Sequence, residues 1–298
     1  TGDLSFSLDL LCRIFGTKTD EPNIILEDPC DDKASAIFSR YNRLSGYKPL
    51  DENGATVPND TDNFEAYYLT TYSQFPTGII TPLTRLKELA NHAQQKNYYL
   101  IENDYDSCFQ YSPNPAPALK ALAPENVIYL GSFSEFLCPC INISFIIFPP
   151  QLQSVVTQHL HTQGPLIPYL IQKPLELMMK NGYFEKHLRK INKKRTQKKE
   201  LLINELERKF THNIKISAHD SETYLLISPN WSTTEDELIT SAYNYGIRLY
   251  STHQYWHNDT PKSVQLLLGY RSLPLESIST AIALLYAAWS PCFKADTN

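Results

Sequence analysis

A chain of 298 residues with 42% hydrophobic and 20% charged side chains can bury one large core and a smaller one, which excludes a disordered chain. Its net charge of −5 does not suit a chain that binds polyanions as a whole. No apolar run approaches the ~18 residues of a membrane-spanning helix, and no signal peptide is visible. Cys12, Cys30, Cys108, Cys138, Cys140 and Cys292 are too few for a disulfide framework, so reduced thiols and a cytoplasmic location are expected.

The chain opens on Thr1 directly into a helical pattern, from which an N-terminal part of the natural protein is expected to be missing. Leu4, Leu8, Leu11, Ile14 and Phe15 have the spacing of an amphipathic helix. A strand at 23–27 ends at Asp28-Pro29, and 65–71 is β-rich. Thr81 is a good N-cap and Pro82 a good first helical residue for a helix with the stripe Leu83, Leu86, Leu89, Ala90 and Ala93. Strands follow at 98–102, 126–130 and 143–148, and strand-crossover-strand spacing implies a parallel sheet. The polar loops at 70–78, 102–105 and 131–134 would then converge on one crevice beyond the strand ends. From 150 to about 210 the pattern is helical, punctuated by Pro165, Pro168 and Pro174 and broken at Gly182. A smaller α/β unit is expected after it, with strands at 214–216, 223–227, 247–250 and 264–268 and helices at 234–245 and 275–289.

Several motifs stand in one order. Tyr68-Leu69-Thr70-Thr71-Tyr72-Ser73-Gln74-Phe75-Pro76-Thr77-Gly78 resembles Y-V-T-P-S-H-Q-F-P-T-G. Ile101-Glu102-Asn103-Asp104-Tyr105-Asp106-Ser107 resembles I-E-D-D-Y-D-S, and Gly182-Tyr183-Phe184-Glu185-Lys186-His187-Leu188-Arg189 is similar to G-H-F-E-R-H-L-R. Gly131-Ser132-Phe133-Ser134-Glu135-Phe136-Leu137-Cys138-Pro139-Cys140-Ile141-Asn142 resembles G-T-F-S-K-x-L-x-P-G-L-R. These patterns belong to the fold type I aminotransferases that use pyridoxal phosphate. More closely, they resemble the MocR/GabR-type regulators of the GntR superfamily, in which such a domain follows a winged helix.

The resemblance implies an α/β fold with a mainly parallel large domain (1–180, its N-terminal part missing) and a linking helix with a smaller C-terminal domain (181–298). It also implies a homodimer, and DNA contacted through an N-terminal winged-helix domain outside this chain. In the family the signature lysine forms the cofactor imine and the arginine grips its phosphate; here Glu135 and Asn142 hold those places. The aspartate that faces the pyridine nitrogen corresponds to Asn103, and the phosphate turn to Gly2-Asp3-Leu4. The family's E-D-P-G-Y becomes Glu27-Asp28-Pro29-Cys30-Asp31. Over Asp3, Asn103, Glu135 and Asn142 the site is three charges more negative than the pattern. One like-charge pair about 5 Å apart costs roughly 3 kcal/mol at an effective dielectric near 20, about two orders of magnitude in affinity.

The expectation is therefore a cofactor-independent domain with no catalytic, cofactor-binding or metal-binding residues, to which pyridoxal phosphate does not bind covalently. Asp3, Asp31, Phe75, Asn103, Tyr105, Ser132, Ser134, Glu135 and Asn142 would line the altered pocket, open to a cationic or neutral small-molecule effector. No membrane contact is expected. An active aminotransferase with a lysine from elsewhere, and a ligand-free structural domain, are the alternatives. Cys30, Cys108, Cys138 and Cys140 permit a thiolate site or a redox switch, with reduced thiols as the expectation. The basic run 186–199 is read first as a solvated helix face, and the aromatic cluster at 253–257 as a packed loop. Arg248 and Arg271 are the carboxylate-binding cations left in the small domain.

Overall fold

The computed structural model describes residues 1–17, 20–105, 117–137, 141–161, 167–221, 223–258, 261 and 263–295. The chain divides into two compact units, Thr1–Phe75 with Ile79–Arg189, and Pro76–Gly78 with Lys190–Asn298.

The first unit is built on a seven-stranded sheet. Its strands are β1 (Ile24–Asp28), β2 (Leu44–Asp51), β3 (Gly54–Ala55), β4 (Ala66–Leu69), β5 (Tyr99–Asn103), β6 (Val127–Ser132) and β7 (Ser144–Ile147), in the order β3-β2-β1-β4-β5-β6-β7. The strands from β2 through β6 run parallel, and β3 and β7 are antiparallel edges. Every residue of β1 and β4 is buried, as befits central strands covered on both faces.

Side-chain alternation divides the core in two. Tyr68, Leu26 and Ile101 pack under α1 (Leu4–Phe15) and α2 (Asp32–Arg40) with Leu8, Leu11, Phe15 and Phe38. Tyr67, Leu69, Ile25 and Leu100 face α3 (Leu83–Lys96) through Leu86, Leu89 and Ala93. The helix ends on Asn97, whose φ of 56° is the left-handed cap that asparagine tolerates. Short α4 (Leu119–Leu122) precedes β6, and α5 (Ser134–Leu137) follows it. After β7 come α6 (Gln153–His161), α7 (Tyr169–Lys180) and α8 (Tyr183–Phe210), within which the unit boundary falls.

The second unit has a four-stranded antiparallel sheet of β8 (Ile214–Ser217), β9 (Tyr224–Pro229), β10 (Tyr250–Ser251) and β11 (Leu266–Gly269), in the order β10-β11-β9-β8. Helix α9 (Glu235–Asn244) starts with a capping box between Thr234 and Glu237. Helix α10 (Ile278–Ala295) buries Trp289, whose Nε1–H donates to the Leu238 carbonyl at 3.1 Å.

Four expectations need correction. β6 and β7 pair antiparallel because only a short loop with the single turn of α5 joins them, and a parallel return needs a longer crossover. Thr81 is not the cap of α3: its N–H donates to the Thr71 carbonyl, and Pro82 takes the cap position without a side-chain bond. Pro174 lies inside α7 rather than ending it; the carbonyl it leaves without an amide partner belongs to Leu170, which is 84% exposed. The strand expected at 247–250 is Tyr250–Ser251, and Leu249 just before it is buried in the core.

Candidate functional site

The carboxyl ends of β1, β4 and β5 open into a cavity of about 190 Å³. From the β1 end comes Asp31, from beyond β4 come Thr70, Tyr72, Ser73 and Phe75, and from the β5 end come Asn103 and Tyr105. Leu4, the first residue of α1, closes one side. This is the crevice beyond parallel strand ends where open α/β sheets hold ligands.

Buried polar groups set the loops that shape it. The Gln74 amide donates to Glu27 Oε1 at 3.1 Å and to the Pro29 carbonyl at 2.6 Å, tying the β4 loop to the β1 loop. The Thr70 N–H donates to Glu27 Oε2 at 3.1 Å. Burial pushes the Glu27 carboxyl up to about 8, against these hydrogen bonds, which pull it down. Glu102 accepts the N–H groups of Leu119 and Lys120 at 2.8 and 3.0 Å and the Thr71 hydroxyl at 3.1 Å. Burial, then the neighbouring Asp104 charge, raises it to about 7. Both glutamates stand in quoted motifs, and both brace loops away from the cavity lining.

The lining holds one formal charge, Asp31, and no Lys, Arg or His among the described residues. Its carboxylate accepts the Lys33 N–H at 2.9 Å, capping α2. Burial, with Asp32 adjacent, lifts Asp31 to about 6. Asn103 donates through Nδ2 to the Tyr68 hydroxyl at 2.8 Å, and its Oδ1 is buried without a hydrogen-bond partner. Ser73 is 4% exposed, and its Oγ has no partner. Its φ of 51° is in the left-handed region, which costs a serine energy. The Tyr105 hydroxyl lies beside those of Ser7 and Ser144 without a well-formed hydrogen bond, and burial raises it to about 12.

Of the residues singled out from sequence, Asp31, Phe75, Asn103 and Tyr105 meet on this cavity. Asp3 does not line it; its carboxylate accepts the Phe6 N–H at 3.0 Å and caps α1. Ser132 and Ser134 brace the β6–β7 connection: Ser132 Oγ accepts the Ser134 N–H at 3.1 Å, and Ser134 Oγ accepts the Ile143 N–H at 3.0 Å. Asn142 is exposed just before β7. The backbone of Glu135 lies in α5, and its side chain is outside the described residues. Leu4, Thr70, Tyr72 and Ser73 also line the cavity; they stand in quoted segments but are not among the residues expected at the pocket. A signal is there for two of them, since Tyr72-Ser73 replaces the Ser-His of the quoted pattern.

Cys30 is buried, and desolvation raises its thiol, the opposite of a reactive thiolate. Cys108, Cys138 and Cys140 lie outside the described residues. Among the described residues no three His, Cys, Asp or Glu side chains group as a metal site, and no helix is long and apolar enough to cross a membrane. A second, larger cavity of about 650 Å³ is mainly apolar, with Phe133, Phe145, Leu160, Ile167, Leu175 and Met179 in its walls. Beside it α7 leaves Tyr169 and Leu170 66% and 84% exposed. Lys186, Arg189, Lys190, Lys193 and Lys194 lie on α8, and all five are exposed. In the second unit Lys198 Nζ donates to the Arg271 carbonyl at 3.0 Å.

The sheet order and the cleft at its strand ends define the class: this is a fold type I aminotransferase-like chain. Solved structures agree. The α-aminoadipate aminotransferase LysN of Thermus thermophilus superposes with a TM-score of 0.84 at 22% identity, covering 99% of this chain and 77% of that one. The kynurenine aminotransferase of Pyrococcus horikoshii gives 0.82 at 20% identity, covering 98% and 74%.

The homologues in sequence are mostly regulators of the MocR/GntR type. The chain is 30% identical over 288 residues to the HTH-type transcriptional regulator YdeL of Bacillus subtilis, and 32% identical over 225 residues to YhdI of the same organism. The probable rhizopine catabolism regulatory protein MocR of Rhizobium meliloti is 24% identical over 292 residues. These alignments cover 95%, 75% and 95% of this chain, which spans 60% of YdeL, 48% of YhdI and 57% of MocR. No protein-family model matches.

Proposed function

We propose that this chain is the effector-binding and dimerisation domain of a MocR-like transcriptional regulator that works without pyridoxal phosphate. The observation that carries this reading is a cleft at the strand ends whose only formal charge, among the described residues, is a carboxylate. Pyridoxal phosphate brings a dianion and an aldehyde, and the residues present do not fit either. Glu135 stands where the resemblance puts the imine-forming lysine, and a carboxylate forms no imine. Asn142 offers no guanidinium fork for a phosphate. At the start of α1 the Phe6 N–H is already taken by Asp3, so a carboxylate sits where a phosphate would need free amides.

The exposed apolar residues of α7, beside the larger cavity, support a homodimer contact through the first unit. DNA contact belongs to a winged-helix domain outside this chain, as the HTH-type names of the relatives support. A second reading, a working aminotransferase, has one observation behind it: 24% identity over 293 residues to the 2-aminoadipate transaminase of Thermus thermophilus. It needs a lysine from outside the quoted motifs.

Titration with pyridoxal phosphate, read by calorimetry and absorbance, separates the two. The regulator reading expects weak binding and no imine band. A stable imine band, or turnover of an amino donor, overturns it.

A further inference from the structure

We propose that the first half of α8 contacts the sugar-phosphate backbone of duplex DNA through Lys186, Arg189, Lys190, Lys193 and Lys194, without reading base sequence. This rests on the reading of the chain as a domain of a transcriptional regulator. It adds a contact within this chain to the one assigned there to a winged helix outside it.

All five cations are exposed and stand on one helix, so the helix's own pitch sets their spacing. At 3.6 residues per turn they fall within an arc of about 140°, over a rise of about 12 Å. Tyr183 and Gln197, also exposed, extend the same stripe at either end with polar tips. Phe184, Asn192 and Arg195 are buried on the opposite side. The stripe is therefore the outward face of α8.

Its charge is unusual for this chain. Elsewhere helical cations pair with carboxylates three or four residues away: Arg13 with Asp9, Arg85 with Glu88, Lys173 with Glu176 and Arg208 with Glu205. Residues 186–199 hold eight Lys or Arg and no Asp or Glu. None of the five stripe cations forms a salt bridge with a described residue, although Glu185 stands four residues before Arg189. Each has another cation three or four residues away, an arrangement that disfavours a helix unless something neutralises it. Solubility is served as well by interspersed signs. In a chain of net charge −5 the stripe is a local concentration of positive charge. Phosphates complement it, and the counterions that they release drive binding. Four of the five are lysines, flexible point charges that suit phosphate contact better than fixed readout of base edges.

The test titrates the whole chain into a fluorescent duplex of arbitrary sequence, about 25 base pairs long, between about 50 and 200 mM KCl. Three to five phosphate contacts give a slope of log K against log salt of about −3 to −4.5. Lys190→Gln, Lys193→Gln and Lys194→Gln combined keep the helix propensity of lysine. They should flatten the slope by about 2.7 and weaken binding at least tenfold at about 100 mM salt, with circular dichroism confirming the fold. Lys33→Gln, Lys87→Gln and Lys215→Gln combined remove as many exposed lysines elsewhere, and should leave slope and affinity unchanged. Absence of duplex binding, or the same loss in both triple variants, overturns the proposal. So does binding of anionic phospholipid vesicles in place of the duplex. If the duplex does not bind and pyridoxal phosphate forms no imine, this inference fails while the regulator reading stands. Stripe-dependent duplex binding together with an imine band would support the contact and overturn only the independence from the cofactor.

Discussion

Gln74 and Glu27, 47 residues apart, are joined by a buried hydrogen bond of 3.1 Å that locks the loop after β4 onto the loop after β1. The same amide reaches the Pro29 carbonyl at 2.6 Å, so one side chain fixes the two loops that carry Ser73 and Asp31. A Gln74→Leu variant leaves a buried carboxyl oxygen and a carbonyl without their donor. Each such group costs about 1–3 kcal/mol, so for the two together a loss of at least about 2 kcal/mol is expected in urea unfolding. A change below about 0.5 kcal/mol, the range of indifferent surface substitutions, would show that the loops are held some other way.

Stability should fall as pH rises through 7 to 8. Glu27 goes from an ordinary 4.5 to about 8 and Glu102 to about 7, both mainly because burial disfavours the charged form. The folded state therefore holds these protons more tightly than the unfolded state. Their contribution is fully present below about 4.5, and is lost as pH rises through the raised values. Each group tilts stability by up to about 1.4 kcal/mol per pH unit within its window. Urea titrations between pH 5 and 9 check the slope, and Glu27→Gln should flatten its upper part. A wild-type stability that rises from pH 6 to 8 contradicts the assignment.

Much of this architecture is legible from the residues alone, and the part that is not has a physical cause. The helix over Leu4–Phe15 and the buried runs of β1 and β4 follow from apolar periodicity, which is local. The convergence of residues 70–75 and 103–105 follows from the geometry of parallel strands. The direction of β7 is hidden because strand propensity is the same either way, and the connection decides. The Tyr72-Ser73 replacement marks the position of Ser73 but not its burial, which depends on a turn that Gln74 holds through residues far away in the chain. Asp3 shows the same limit: the carboxylate is visible in the sequence, but its local role as the cap of α1 depends on where the helix begins.

That cap gives a simple prediction. Asp3→Ala removes the acceptor for the Phe6 N–H and should cost about 0.5–2 kcal/mol, whereas Asp3→Ser keeps a capping oxygen and should cost less. Thermal unfolding of the pair resolves the difference. Equal stability of the two would mean that Asp3 acts only through its charge.

Gly131 opens the signature segment for a steric reason. A Cβ there would come within 2.3 Å of the Phe145 ring, which is itself packed on Phe133 with centroids 5.1 Å apart. Gly131→Ala should lose about 1–3 kcal/mol through this overpacking. Phe145→Leu in the same background is expected to recover part of the loss, since it removes the atoms in the way. Without that recovery, the cost would have to come from backbone freedom alone.

The last prediction concerns what it would take to make the cleft hold pyridoxal phosphate. If Glu135 were the single departure, Glu135→Lys would restore an imine. The charges argue otherwise: Asn142 is exposed and neutral, Asn103 puts an amide where the pattern has a carboxylate, and Asp31 supplies a negative wall. An unneutralised phosphate near one carboxylate about 5 Å away loses roughly 3 kcal/mol. Glu135→Lys alone should therefore give little imine absorbance at micromolar cofactor. Adding Asn142→Arg supplies a guanidinium for the phosphate, and Asn103→Asp supplies an acceptor for a protonated ring nitrogen. The triple variant should bind at least about tenfold more tightly than the single one. Full-strength imine formation by Glu135→Lys alone would mean that the other positions do not control the cofactor, and that one residue separates this chain from an enzyme.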